Sequence, residues 1–156
     1  MQHAECYKKG YPRPRFVREN YTSLNGEWNF CFDDKNDGEK RKLYRGLNAE
    51  KSVKINVPFA YQSEASGVED KTDHAYMWYS RSFNYELARG KRLIINFDGA
   101  DYLAKVWLNG SFIGSHSGGY ARFSFDLTDY VKKGENGNLP TRSGRLFCRR
   151  CSAGFR

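Results

Sequence analysis

The sequence predicts an all-β protein, a β-sandwich, on three observations. Aromatic residues make up 16% of the 156 residues, and Tyr and Phe (11 each) far outnumber Met (2); that composition suits pleated, half-buried surfaces. Apolar residues recur with period two in several short runs. Turn signals break those runs at regular spacing, with no convincing helical period between them. A chain of this length is one domain's worth, able to bury roughly two-thirds of its unfolded surface around a single core.

The elements follow in order. In "NGEWNFCFD", Trp28, Phe30 and Phe32 point one way and Glu27, Asn29 and Cys31 the other, so this is a strand with one aromatic face. "DDKNDGEK" reads as a polar turn. "SVKINVP" alternates Val53, Ile55 and Val57 and stops at Pro58, which has no N–H to give a ladder. "MWYSRSFNY" and "KRLIINFD" are two more strands, the second with Leu93, Ile95 and Phe97 in phase. "AKVWLNGSFIG" is the clearest hairpin, two apolar arms around Asn109-Gly110, a pair that tolerates positive φ at both turn positions. "RFSFDLT" alternates again through Phe123, Phe125 and Leu127.

The pattern breaks after Gly134. "VKKGEN" leads towards another strand, but residues 137–156 show no alternation and no acidic residue. The net charge of +8 gathers there too: all 18 acidic residues lie at or before Glu135, and the last twenty residues add Arg142, Arg145, Arg149, Arg150 and Arg156. The remaining body carries mixed signs, without the basic stripe of a phosphate-tracking face, so no nucleic-acid partner is expected of it. Two readings of residues 137–156 compete. One is a disordered basic tail. The other, favoured here, is a coding frame lost near residue 136: dropping one base from the codons of Gly137 and Asn138 lets Glu-Ile be read, and "GENEI" would open a natural strand. The expected organisation is an N-terminal arm over 1–22, a sandwich over 23–136 and an aberrant tail over 137–156. A sandwich missing the strand after Asn136 would expose an edge and aggregate.

No apolar run approaches 18 residues, so no membrane partner is expected. The N-terminus lacks the apolar core of a secretory signal, which points to the cytoplasm. No cofactor is expected. His3, His74 and His116 share no ligand spacing, Cys148-x-x-Cys151 is half of a zinc knuckle without a second pair, and "DDKNDGE" fails as a calcium loop because Lys35 takes an oxygen-ligand position. Asp98 with Asp101, and Asp126 with Asp129, are three apart at strand ends, the places where Asp makes turn hydrogen bonds, and form no catalytic pair.

The ordered elements "LNGEW", "VP", "WY-R-F", "VW-NG" and "GGY--F-FD-T", running from about Tyr11 to Asn136, give the chain a family resemblance. It resembles the N-terminal sugar-binding domain of glycoside hydrolase family 2, the family of bacterial β-galactosidases and β-glucuronidases. The resemblance implies a jelly-roll sandwich, followed in the family by an immunoglobulin-like sandwich and a TIM barrel with two catalytic glutamates. It therefore implies a non-catalytic domain whose partners are those further domains, with hydrolysis of O-glycosyl bonds belonging to the whole enzyme. One departure is local: the family often has Thr-Pro-Phe after Gly-Gly-Tyr, and this chain has Ala121-Arg122-Phe123.

Candidate substrate-binding residues come from two sources. Sugar sites stack an exposed aromatic on a pyranose, and Trp78, Tyr79, Trp107 and Tyr120 are of the right type, although sandwich aromatics ordinarily fill the space between sheets. In the family the domain packs on the barrel and lends a loop to the active-site rim, and Asp73-His74-Ala75-Tyr76 matches that loop in position. The candidates are thus Asp73, His74, Tyr76, Trp78, Trp107 and Tyr120, for a carbohydrate ligand. Two alternatives stand beside the accessory-domain reading: a free-standing carbohydrate-binding module, and a basic interaction protein acting through its Arg-rich tail.

Overall fold

A computed structural model describes residues 21–47, 52–85, 89–136, 141–145 and 151–155. Its strands are β1 (Tyr21–Ser23), β2 (Gly26–Phe32), β3 (Val53–Val57), β4 (Met77–Ser80), β5 (Phe83–Tyr85), β6 (Leu93–Phe97), β7 (Asp101–Leu108), β8 (Ser111–Ser117), β9 (Phe123–Asp126), β10 (Gly134–Asn136), β11 (Thr141–Arg145) and β12 (Cys151–Phe155). Only 3-10 turns, over Leu43–Arg45 and Glu64–Ser66, interrupt this all-β order among the described residues. No helix among them is long and apolar enough to cross a membrane.

Two main sheets form the jelly-roll sandwich. The larger has the order β3-β2-β4-β11-β7-β8, the smaller β1-β12-β6-β9, and β10 pairs with β5 beside them. Every pairing is antiparallel. The expected alternation supplies the core: Trp28, Phe30 and Ile55 from the larger sheet meet Leu93, Ile95, Phe97 and Leu127 from the other side, all at 2% exposure or less. Burying each such large side chain stabilises by roughly 1.5–3 kcal/mol. Val53 is in phase with Ile55 but remains 54% exposed on the edge strand. The run "MWYSRSFNY" splits at Arg81, whose Nη1 donates to the carbonyls of Leu24 (2.8 Å) and Asn25 (2.9 Å) and so ties the chain back to the start of β2.

The hairpin forms as its turn residues require. Asn109 and Gly110 both have positive φ (52° and 85°), and β7 pairs with β8 at the edge of the larger sheet. Asn109 Nδ2 donates to Tyr130 O (2.9 Å) and to Asn136 Oδ1 (3.2 Å), fastening the hairpin tip to the turn before β10 and to the end of β10 itself. The two sheets approach closely at Gly114, where a Cβ would lie 2.5 Å from a ring carbon of Phe125.

The C-terminal segment differs from expectation. Residues 141–145 form the strand between β4 and β7, and residues 151–155 form the strand between β1 and β6. Both sheets thus take a strand from the stretch read above as either a disordered tail or the product of a lost coding frame. A period-two apolar pattern is one route to a sheet; a vacant ladder of backbone N–H and C=O groups between two strands is another, and it does not show in the sequence. Residues 137–140, 146–150 and 156, and all but the last two residues of the expected arm over 1–22, lie outside the described residues.

Candidate functional site

Register places most of the sequence candidates at one end of the sandwich. Phe32 pairs with Met77, Met77 with Ser143, and Ser143 with Ala104. The segments after β2, before β4, before β7 and after β8 therefore emerge together, carrying Asp33 and Asp34, then Asp70 to Tyr76, then Asp98 and Asp101, and finally Tyr120 and Arg122.

Within this end, His74 is the best-anchored candidate. Its Nδ1 lies 2.8 Å from Asp34 Oδ1, and its Nε2 lies 3.3 Å from Asp70 Oδ2 and 2.8 Å from Thr72 Oγ1. The ring stacks on Phe32 at 3.5 Å and meets Tyr61 edge-on at 5.8 Å. Partial burial pulls the imidazole pKa down, but the Asp34 and Asp70 carboxylates outweigh it, and the net shift is upward. His74 thus bridges two loops through its two ring nitrogens, and the two carboxylates favour its protonated form. It is poorly placed to serve as a proton-accepting base, since both ring nitrogens already face partners. Asp73 is exposed and Tyr76 half-buried beside it; the Tyr76 carbonyl accepts the Asp33 N–H at 2.9 Å.

Trp78 and Trp107 do not join this end as exposed platforms. Trp78 is 0% and Trp107 6% exposed, with ring centroids 5.1 Å apart on the face of the larger sheet away from the core. The segment after β2 covers them. Tyr44, in the 3-10 turn Leu43–Arg45, stacks on Trp107 at 6.2 Å, and Trp78 Nε1 donates to Asp33 Oδ2 at 2.9 Å. Gly38 closes the cover: a Cβ there would sit 2.2 Å from Trp78 Nε1. Sugar stacking on either tryptophan is therefore corrected by the structure; both rings are sealed, and Phe112, against Trp107 at 5.5 Å, is the exposed aromatic of this group. Tyr79 belongs to the core proper, at 3% exposure.

Sequence reasoning missed Asp33, the hub of this cover, which had been read as part of a polar turn. Its carboxylate also accepts the Gly38 N–H (3.0 Å) and the Asp37 N–H (3.1 Å) and pairs with Arg41 (3.1 Å). Burial works to raise its pKa, but the bonds from Trp78, the two amides and Arg41 prevail and hold it below the ordinary carboxylate value. Nothing in the local sequence separates Asp33 from its neighbour Asp34; the distinction comes from Trp78, 45 residues away. The 41–47 segment borders a recess of about 270 Å³ lined by Cys31, Phe32, Arg41, Lys42 and Leu47; none of the sequence candidates lines it, although Phe32 also stacks on His74.

Tyr120 is fully exposed and Tyr102 is 66% exposed, and the Gly118 N–H bonds the Tyr102 carbonyl at 2.7 Å. Gly119 permits this packing, since a Cβ would lie 2.8 Å from Asp101 Oδ1. Arg122 pairs with Asp98 at 3.1 Å. Asp126 makes the expected turn bonds, accepting the Thr128 N–H (2.9 Å) and hydroxyl (2.5 Å). Those bonds and Arg92 bring its pKa down to about 2. Among the described residues no group of His, Cys, Asp or Glu is disposed to hold a metal ion.

Comparison with known proteins gives a consistent picture. Residues 21–141 match the family model of the glycosyl hydrolases family 2, sugar binding domain. The chain is 32% identical over 119 residues to a β-galactosidase of Thermoanaerobacter pseudethanolicus and 33% identical over 128 residues to a β-glucuronidase of Bacteroides fragilis. These matches cover 75% and 77% of this chain but 16% of each relative, so the chain spans about a sixth of their length. Among solved structures it resembles the Ruminococcus gnavus β-glucuronidase in complex with uronic isofagomine, with a TM-score of 0.71 at 26% identity over 83% of this chain and 22% of that one.

Proposed function

Since this chain belongs to the sugar-binding domain family of the family 2 glycosyl hydrolases, we propose that it is the non-catalytic N-terminal sandwich of a β-galactosidase- or β-glucuronidase-type enzyme. In such an enzyme the parts of the relatives beyond this match would hydrolyse the glycosidic bond. The loop end, with Asp73, His74, Tyr76 and Tyr120, would be its contribution to the substrate side. One observation carries the non-catalytic reading. Every carboxylate shift resolved among the described residues is downward, at Asp33, Asp70 and Asp126, whereas a glycosidase acid must be held protonated by a raised pKa. The reading also keeps the domain in the cytoplasm, where Cys31 remains a free thiol whose pKa burial raises to about 11. The test is hydrolysis of nitrophenyl β-galactoside and β-glucuronide by this chain. No turnover is expected; turnover abolished by a carboxylate substitution in the chain would refute the proposal.

The fully exposed Tyr120 favours a second reading, a carbohydrate-binding module acting by itself. It requires saturable glycan binding that Tyr120→Ala removes.

A further inference from the structure

The recess of about 270 Å³ bordered by the 41–47 segment has walls of two kinds. Phe32, Leu43 and Leu47 give it apolar surface. The 3-10 turn Leu43–Arg45 buries none of its residues, and Leu43 and Leu47 both stay only half-buried. Arg41, Lys42 and Arg45 make the other wall, and among the described residues no carboxylate lines the recess. Cys31 adds no negative charge to it. Burial pushes that thiol up to about 11, so it stays protonated at neutral pH.

Two of these cations are held quite differently. Arg41 pairs with Asp33 (3.1 Å) and Asp37 (2.5 Å), so it is a fixed wall whose charge is already answered. Lys42 is exposed, and among the described residues no carboxylate pairs with it. Its backbone is left-handed, at φ 60° and ψ 35°, a conformation that strains a residue with a Cβ and that glycine adopts freely. A strained lysine lining a cavity, where glycine would sit at ease, is the signature of a residue kept for use. The frame around it is preformed. The Leu43 N–H bonds Gly38 O at 2.9 Å, the Gly46 N–H bonds Leu43 O at 3.0 Å, and Phe32 is backed by the His74 ring at 3.5 Å.

We propose that this recess binds a small organic anion, a monocarboxylate carrying an apolar ring or chain. The carboxylate pairs with the Lys42 ammonium, and the apolar body lies against Phe32, Leu43 and Leu47. One unanswered ammonium calls for one negative charge, and the apolar walls favour a hydrophobic body over a fully hydrated ion such as phosphate. A volume of about 270 Å³ suits a single ring with a short acid arm. The inference stands apart from any glycosidase role.

The test uses the full chain and phenylacetate as the probe, followed by ligand-observed NMR. Saturable binding with a Kd of about 1 mM or tighter is expected. Phenylacetamide, its uncharged counterpart, and inorganic phosphate should each bind at least about tenfold more weakly. At saturation phenylacetate should slow the reaction of Cys31 with iodoacetamide at least about fivefold, read by mass spectrometry of the Cys31 peptide. Lys42→Gly separates the ligand from the fold. It should weaken phenylacetate at least about tenfold, while relief of the left-handed backbone raises Tm by about 2 °C. Lys35→Ala, on the same connection but outside the recess, should change neither. No binding overturns the inference, as does phenylacetamide or phosphate binding as tightly as phenylacetate. So does a Cys31 left unprotected at saturation, or a Lys42→Gly chain that keeps its affinity or whose Tm falls.

Discussion

The covered face of the larger sheet and the loop end of the sandwich both hold aromatic residues that look alike in sequence, and the structure treats them oppositely. On the covered face Trp78 and Trp107 lie under the segment 33–46 and are sealed by Asp33, Gly38 and Tyr44. At the loop end Tyr102 and Tyr120 stand in the open, while His74 pairs with Asp34 and Arg122 with Asp98. An aromatic on the outer side of a strand is exposed only if no loop folds over it. A surface fit for ligands is therefore set by the path of the connections as much as by the strands.

Substitutions can break or sharpen this contrast. Trp78→Ala should be the most damaging, destabilising by about 4 kcal/mol in urea unfolding, as expected for removing a fully buried large aromatic. A loss below about 1 kcal/mol would mean that the cover is loose. Asp33→Ala comes next, at about 2–3 kcal/mol, because it strands the buried Trp78 N–H and the Gly38 amide and frees Arg41. Near-ultraviolet circular dichroism of the paired tryptophans should change with it.

At the loop end, His74 gives a smaller and pH-dependent effect. Its pKa is raised on folding, so its contribution is complete below the unfolded value near 6.5 and is lost as pH rises through the folded value. Thermal stability should fall as pH rises above the unfolded value of about 6.5, and His74→Gln should flatten that dependence. An unchanged slope in the variant would show that the Asp34 and Asp70 contacts do not persist in solution. Tyr120→Ala should move stability by less than about 0.5 kcal/mol, since its ring buries nothing. A larger loss would show that Tyr120 packs against something in solution.

Much of the fold was legible because its signals are local. Asn109-Gly110 determines its hairpin through the φ values only such residues adopt easily, and period-two runs such as Leu93-Ile95-Phe97 identify their own buried face. The covered tryptophans were not legible, since their burial depends on Asp33 and Gly38, 40 or more residues earlier, meeting them in space. His74 was picked out by position in a loop, but its two carboxylate partners come one from its own loop and one from the turn after β2. Strand β11 was illegible for a different reason. Thr141-Arg142-Ser143 has no apolar alternation, and its place is defined by the vacancy between its neighbours.

The placement of β11 and β12 also orders events in time. Until residues 141–145 have left the ribosome, the larger sheet exists as two separate pieces, β3-β2-β4 and β7-β8, and until residues 151–155 follow, β1 has no neighbour at all. Until then the backbone edges of β4 and β7 that flank Met77, Tyr79, Ala104 and Val106 lack the strand that joins them. At some 5–20 residues per second that interval lasts seconds.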